Sequence, residues 1–201
     1  TRRIPYRVDD VIFMTHTKPL LIAENLACQR GQRQLFTGLH LQVQMGDLIH
    51  VVGANGAGKT HLLRILAGLR VADEGRVVRE CAIHYLGHTQ GVKAALTVAE
   101  NLAFHASLLG VSAGVITEVM STVGLSAQQH LAVSQLSRGQ RQRVALARVL
   151  MSAAPLWILD EPLAGLDVEA QALLATQLLA HAQAGGAVIY ASHQALMAQA
   201  T

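Results

Sequence analysis

The stretch Gly53-Ala54-Asn55-Gly56-Ala57-Gly58-Lys59-Thr60 constrains the fold of this 201-residue chain more than any other feature. A short apolar segment precedes it, and leucines at helical spacing follow over residues 59–69, which predicts a strand, a loop and a helix. Its three glycines let backbone N–H groups turn inward around phosphate oxygens, and the positive end of the helix points at the same place. The sequence therefore predicts a phosphate-binding loop in an α/β domain.

Two side chains at the end of this loop predict which phosphate compound it binds. Lys59 brings a positive charge to the β- and γ-phosphates of a nucleotide, and the hydroxyl of Thr60 is suited to bind Mg²⁺. The alternative is a glycine-rich turn that binds nothing. The strand before the loop and the helix after it argue against that alternative, so we expect ATP with Mg²⁺.

A second motif is the apolar run at residues 156–159, which ends in two acids. The run predicts a buried parallel strand that delivers Asp160 and Glu161 to the carboxyl edge of the sheet, where ligands bind in such folds. Asp160 is expected to hold Mg²⁺, mostly through water, and Glu161 is the candidate general base for an attacking water. The alternative is two surface carboxylates at a strand end, which the matched phosphate loop disfavours.

The third motif, Leu136-Ser137-Arg138-Gly139-Gln140, lies between the other two. Ser137 with Gln140 three residues later predicts a capping box at the start of a helix, and a well-capped helix with no further role is the alternative interpretation. Taken with the other two motifs in this order, however, the stretch resembles the signature of the ABC ATPases. The resemblance covers about residues 20–194.

This resemblance implies a fold and a mode of action. The fold class is α/β: a P-loop ABC ATPase domain with a mostly parallel core sheet, an antiparallel β region and an inserted helical subdomain. The family holds ATP between two subunits, so a second copy of the chain is implied as a partner. Ser137, Gly139, Gln140 and the dipole of their helix would then face the γ-phosphate of ATP bound by that second copy.

The resemblance also implies roles for isolated residues. Asp167, in Ala164-Gly165-Leu166-Asp167, is similar to the D-loop acid that crosses the dimer interface. His193 is similar to the switch histidine that contacts the γ-phosphate. His88 stands where the family usually has the glutamine that links Mg²⁺ to the helical lobe, and Gln90 follows two residues later.

Three positions depart from the family pattern near the nucleotide. Arg138 replaces the usual glycine of the signature, and its side chain is expected to point to the surface. His61 replaces a usual Thr or Ser, which removes one hydroxyl contact to phosphate. Arg30 falls near the usual aromatic residue that stacks on adenine, which an arginine plane can also do; Phe36 is the alternative for this role.

A narrower resemblance comes from His88 through Lys93 and from Leu-Trp-Ile-Leu-Asp-Glu-Pro at 156–162. Both are similar to the haem-exporter ATPases of cytochrome c maturation (the CcmA type). That family implies a peripheral subunit on the cytoplasmic face of the inner membrane, with integral membrane partners of the CcmB, CcmC and CcmD types. In it, ATP hydrolysis supports release of a haem-loaded chaperone. The ATPase subunit of another ABC transporter is the alternative.

Other function classes fit the sequence less well. A DNA-repair or chromosome ATPase would need a long coiled coil between the glycine loop and the signature, but only about 75 residues without heptads separate them. A non-hydrolytic nucleotide switch would not need Glu161 and His193. The net charge is +3 but the arginines are scattered, so nucleic-acid binding is not expected. The ten histidines are scattered too, and direct haem binding is not expected.

The chain reads as one domain, residues 19–201, after an N-terminal extension, 1–18, that has no clear period. Helical patterns over about 92–152 predict a helical subdomain inserted in a strand–helix core. No run of about 18 apolar residues predicts a membrane span. Relatives are expected to continue beyond His193 by a strand or two, so we expect a truncated C-terminus. Strands are predicted at 20–28, 39–43, 48–52, 81–86, 156–159 and 187–191, with a hairpin-like stretch from Gly75.

Overall fold

The computed structural model describes residues 18–87 and 91–193, and in these ranges the strands form two sheets. An antiparallel sheet has the order β2-β1-β4 and a parallel sheet has the order β3-β7-β6-β5. The expected combination of a mostly parallel core sheet and an antiparallel region is thereby confirmed. The strands are β1 (Leu21–Arg30), β2 (Arg33–Val43), β3 (Leu48–Val51), β4 (Glu74–Arg79), β5 (Ile83–Leu86), β6 (Leu156–Asp160) and β7 (Ala187–Ala191).

Helices cover both faces of the parallel sheet, which is why its central strands have no polar face. Every residue of β6 and β7 is buried. On one face lies the helix that follows the phosphate loop, α1 (Lys59–Leu66), which buries Leu62, Leu63 and Leu66. On the other face lies α5 (Val168–Gln183), together with the last helix of the inserted segment.

The inserted segment between β5 and β6 is helical, as the sequence predicts. It contains α2 (Val98–Leu109), α3 (Ala113–Thr122) and α4 (Arg138–Leu150), with two short 3₁₀ turns between α3 and α4. Val98, Leu102 and Leu125 form the centre of a separate hydrophobic core in this segment. α4 belongs to both cores, since Val144 and Ala147 pack in the inserted segment while Leu146 and Val149 pack against the parallel sheet.

The hairpin-like interpretation of the stretch from Gly75 is wrong. β4 pairs with β1, while β5 lies in the other sheet beside β6. Strand β2 begins at Arg33 rather than at residue 39. The alternation that predicts a strand is broken over residues 34–39, where β2 carries the extra residues of two irregularities in its pairing with β1. Helix α1 ends at Leu66 rather than at residue 69, since Gly68 adopts a left-handed φ of 79°.

Among the described residues, every helix is too short or too polar to cross a bilayer.

Candidate functional site

The phosphate loop has the backbone that its glycines predict. Gly56 and Gly58 have φ values of 73° and 106°, and Gly58 directly precedes α1. Lys59 is only 8% exposed, and its Nζ donates to the carbonyl oxygens of Gly53 at 2.7 Å and Ala54 at 3.4 Å. The ammonium group thus lies folded over the loop, bonded to two of the loop's carbonyl oxygens.

One cavity of about 620 Å³ brings most of the predicted site residues together. The loop residues 55–61 form its floor, and Arg30 and Arg33 line it from the antiparallel sheet. Asp160, Glu161 and His193 reach it from the carboxyl ends of β6 and β7. The cavity therefore joins cations suited to phosphate with carboxylates suited to a metal ion and water.

The two candidates for stacking on the adenine base, Arg30 and Phe36, lie in different surroundings. Arg30 is exposed and lines the cavity, whereas Phe36 is 5% exposed within the hydrophobic core. Phe36 therefore has no face available for a base. His61 also lines the cavity, and burial, with Arg70, Arg30 and Arg64 nearby, lowers its pKa.

The two acids differ sharply in environment although they are adjacent in sequence. Asp160 ends β6, is 3% exposed, and its Oδ2 has no hydrogen-bond partner among the described residues. Glu161 has a left-handed φ of 53°, which is unusual for a residue other than glycine. Its N–H donates to the carbonyl of Ala191 at 2.8 Å, so it remains tied to β7 while its side chain turns toward the cavity.

His193 follows β7 and completes this edge of the cavity. Its Nε2 lies 3.5 Å from Oε1 of Glu161, and its side chain is 57% exposed. The backbone just before it is fixed, because the ring of His50 contacts the carbonyl of Ser192 at 3.0 Å and stacks on Tyr190. The position of His193 beside Glu161 therefore follows from the anchored end of β7.

Sequence reasoning did not identify Tyr85 as a residue of this region. Tyr85 lies on β5, and its hydroxyl oxygen is buried without a hydrogen-bond partner among the described residues. Burial raises the pKa of Tyr85, and the Asp160 carboxylate adds to the rise, while Arg64 opposes it. No local motif signals this proximity, because it comes from the pairing of β5 with β6, about 70 residues apart in sequence.

The capping box predicted at the signature is present. The Ser137 hydroxyl accepts from the Gln140 N–H at 3.2 Å, and Oε1 of Gln140 accepts from the Ser137 N–H at 2.9 Å. The side chain of Gln140 is thus committed to the start of its own helix. Within the described part of the chain, Ser137 and Gly139 do not line the cavity that holds the phosphate loop.

The start of α4 packs closely on the loop that contains Asp167. A Cβ atom added to Gly139 would lie 2.7 Å from the carbonyl oxygen of Gly165, so this approach requires glycine. The side-chain stem of Arg138 lies along Gly165, and Arg138 reaches the cavity. Arg138 is exposed, as expected, but it also points toward the site of its own chain.

Asp167 has a role within the chain that sequence reasoning missed. One carboxylate oxygen accepts from the Ala170 N–H at 2.8 Å and so caps α5, and the other accepts from Arg143 Nη2 at 2.8 Å. The hydrogen bond from Ala170 and the charge of Arg143 lower the pKa of Asp167. An Asp at a helix start is a capping signal, whereas its partner on α4 is not visible locally.

Sequence reasoning also missed Gln142, which is buried. Its Nε2 donates to the Pro162 carbonyl at 3.0 Å, and this bond fixes α4 to the segment that follows the acidic strand end.

His88 and Gln90, predicted near the metal ion, lie outside the described residues. Four residues before His88 in the sequence, His84 lies on β5, where burial, helped by Arg148 and His105, lowers its pKa to about 4.

Comparison with known proteins agrees with this geometry. The pattern of the ABC transporter family matches residues 36–164. The cytochrome c biogenesis ATP-binding export protein CcmA of Yersinia pestis is 45% identical over 190 residues, covering 88% of this chain and 87% of its own length. The protein of the same name from Mesorhizobium japonicum is 43% identical over 183 residues, covering 86% of this chain and 91% of its own.

The chain belongs to the ABC transporter family, and within it to the CcmA group.

Solved structures of ABC proteins support the same fold. The ATP-binding subunit of one ABC transporter has a TM-score of 0.78 at 22% identity, covering 87% of this chain and 79% of that chain. A nucleotide-free ATP-binding cassette from another has a TM-score of 0.71 at 25% identity, covering 88% and 82% respectively. As a member of the ABC family, the chain binds ATP, and the cavity at the phosphate loop is the place that its geometry provides.

Proposed function

We propose that this chain is the ATP-hydrolysing subunit of the haem exporter of cytochrome c maturation. The observation that carries the proposal is its identity of 40–45% with proteins named cytochrome c biogenesis ATP-binding export protein CcmA, along most of both chains. The ATPase subunit of another ABC transporter remains the second candidate, since the family pattern alone supports it equally.

The phosphate loop is proposed to hold the nucleotide. Backbone N–H groups of residues 53–60 would surround the β- and γ-phosphates, and Lys59 would exchange its bonds to the loop carbonyls for phosphate oxygens. Arg30, at the edge of the same cavity, is the candidate for stacking on the base. The guanidinium of Arg33 adds positive charge beside it.

The residues present fit a magnesium ion. Asp160 is a buried carboxylate with one oxygen that has no hydrogen-bond partner among the described residues, and hard cations prefer such oxygen ligands. Thr60 lies in the same cavity, at the start of α1. When bound between these residues and the nucleotide, Mg²⁺ supplies positive charge to the β- and γ-phosphate oxygens.

Glu161 and His193 are proposed to act on the attacking water and the γ-phosphate. Glu161 orients a water and accepts its proton, and its backbone bond to Ala191 fixes its position at the strand end. His193, 3.5 Å from Glu161, is placed to donate a hydrogen bond to a γ-phosphate oxygen. His88 and Gln90 remain predicted contacts at the metal ion.

A second copy of the chain is proposed to complete each site. Ser137, Gly139 and the N-terminal end of α4 provide hydrogen-bond donors and a positive dipole. Ser137 and Gly139 are outside the lining of their own chain's cavity, which favours action on the nucleotide of a partner. Asp167 would lie near that interface, oriented by its bond to Arg143.

The inserted helical segment is proposed to transmit closure of the dimer to membrane subunits of the CcmB, CcmC and CcmD types. α4 supports this role, because it packs both in the core of the inserted segment and against the parallel sheet. The chain would act as a peripheral subunit on the cytoplasmic face of the inner membrane. Haem and nucleic acid are not proposed as its direct ligands.

The Glu161→Gln variant tests the ATPase part of this proposal. It should bind ATP as the native chain does, lose hydrolysis by about 100-fold or more, and accumulate as an ATP-bound dimer in size-exclusion chromatography. Glu118→Gln is the matched control, because Glu118 is an exposed residue of α3 that does not line the cavity. Native hydrolysis by Glu161→Gln would show that the general base is another group.

Co-purification tests the haem-exporter part. The native chain, expressed with candidate membrane subunits, should be retained by those of cytochrome c maturation and show ATPase activity that depends on them. Retention only by the membrane subunits of a different transporter would favour the second candidate.

A further inference from the structure

We propose that Tyr85 is a positioning residue whose hydroxyl is linked to Asp160 through one bridging water, and so orients this carboxylate toward the divalent cation that accompanies ATP. The inference deepens the proposed ATPase function and rests on it. It concerns a residue that none of the three motifs contains.

The register of the parallel sheet brings Tyr85 and Asp160 to the same face. Tyr85 on β5 pairs with Ile158 on β6, and Asp160 lies two residues further along β6. Because side chains alternate along a strand, Tyr85, Ile158 and Asp160 all project toward the face covered by α1. Thr60 and Arg64 lie one turn apart on that helix.

The ring of Tyr85 extends along its strand toward the carboxyl edge. A Cβ atom added to Gly87 would lie 2.9 Å from Cε1 and 3.3 Å from the hydroxyl oxygen of Tyr85, so the ring passes beside Gly87. Gly87 follows Leu86, which pairs with Leu159, and therefore lies level with Asp160 on the neighbouring strand. The Tyr85 hydroxyl therefore lies at the same level along the strands as the Asp160 carboxylate.

Both polar atoms are buried, and neither makes a well-formed hydrogen bond to another described residue, although Arg64 approaches the Tyr85 hydroxyl. These atoms are Oη of Tyr85 and Oδ2 of Asp160. A buried polar atom without a partner costs free energy, and a phenol and a carboxylate are a complementary donor and acceptor. A water that bridges them satisfies both atoms and fixes one oxygen of Asp160.

A fixed carboxylate matters because a metal ligand must be held in one orientation to bind a cation tightly. Partners in the surroundings that hold a ligand commonly change metal affinity by about 10- to 100-fold. Arg64 is the competing partner for Tyr85, since hydrogen bonding to Arg64 and the charge of Arg64 both lower the pKa of Tyr85. If Arg64 is the true partner, Tyr85 serves only to hold α1 against the sheet.

Tyr85→Phe distinguishes these roles through binding measurements that do not require turnover. Binding of a fluorescent ATP analogue is measured over a range of Mg²⁺ concentrations and in the presence of EDTA. The Mg²⁺ concentration for half-maximal binding should rise about five- to tenfold, while the affinity in EDTA and the melting temperature stay native. Gly87→Ala, which keeps the hydroxyl but displaces the ring, should raise the Mg²⁺ requirement in the same direction.

Two control variants make the result specific. Tyr190→Phe removes a buried tyrosine hydroxyl from β7 in the other hydrophobic core and should keep the native Mg²⁺ dependence. Arg64→Met should also keep it. An unchanged Mg²⁺ dependence in Tyr85→Phe, or an equal change in Arg64→Met, would overturn the proposal. If the native chain itself binds the analogue without any effect of Mg²⁺, the proposed ATPase site fails instead.

Discussion

The imidazole Nε2 of His193 lies 3.5 Å from the carboxylate Oε1 of Glu161, at the carboxyl edge of the parallel sheet. The two residues reach this position from neighbouring strands, and the bond from the Glu161 N–H to Ala191 ties those strands together. The distance allows one water to contact both groups, while a γ-phosphate oxygen would be contacted by His193 alone. The geometry therefore supports joint action on the terminal phosphate.

His193→Ala should lower kcat for ATP hydrolysis by about 100-fold, because it removes a donor aimed at the developing charge. Its effect on nucleotide affinity should be small, since Lys59 and the loop backbone remain. His193→Gln keeps an amide donor and should retain more activity than the alanine variant. Steady-state kinetics check this, with exposed His130→Ala as control; a native kcat in His193→Ala would remove His193 from the mechanism.

Gly139→Ala tests the close packing of the signature on the loop before α5. The added methyl group would lie 2.7 Å from the Gly165 carbonyl oxygen, so the start of α4 must move. ATP binding at the phosphate loop should be unchanged, while hydrolysis falls about 10- to 100-fold because the signature is misplaced.

The matched control is Gly114→Ala, at a position on α3 where an added methyl group would meet no atom within 4 Å. Gly114→Ala should keep native hydrolysis and slightly raise the melting temperature, as alanine favours helix. Equal ATPase rates in both alanine variants would mean that the contact between Gly139 and Gly165 does not position the signature.

His84 predicts how stability depends on pH. Burial lowers its pKa in the folded chain to about 4, below the ordinary value of 6.5. As the pH falls from 6.5 toward 4, the unfolded chain takes up a proton that folded His84 does not, so the free energy of unfolding falls. The contribution of His84 to this loss is at most about 3 kcal/mol.

Urea unfolding of native chain and His84→Asn at pH 7 and pH 5 measures this effect. The variant should lose less stability between the two pH values than the native chain does. Some loss should remain in the variant, because burial also lowers the pKa values of His105 and His181. Exposed His130→Asn is the control, and a pH dependence equal to native in His84→Asn would contradict the prediction.

Local signals predicted much of the fold and of the site. Neighbouring residues encode the strand, loop and helix around Lys59 and the capping box of Ser137 and Gln140. The spacing of those residues is therefore sufficient to predict these features. The strand at Ala187–Ala191 has the predicted bounds because it is a short, apolar and fully buried run. The narrower family was predicted from a resemblance and is supported by the relatives found.

Pairings between distant segments were not predictable in this way. The bond between Arg143 and Asp167 joins two helices, and the approach of Tyr85 to Asp160 depends on the register of two strands. Nothing in the local pattern of either partner specifies the other. The hairpin expected from Gly75 failed for the same reason, since strand order is decided by burial in the whole fold rather than by adjacency in sequence.

A mixing experiment tests most directly whether each active site is built from two chains. Lys59→Ala removes the phosphate-binding charge, while Ser137→Asp keeps a capping side chain but places a negative charge toward the phosphate. Each variant alone should be inactive. If the site is shared, a mixed dimer has one intact site, with Lys59 from one chain and Ser137 from the other.

The ATPase rate is measured after the two purified variants are mixed in equal amounts. The account predicts recovery of up to about a quarter of the native rate, since random pairing makes half of the dimers mixed and each has one of two sites intact. No recovery, in a mixture shown by cross-linking to contain mixed dimers, would contradict a site shared between two copies.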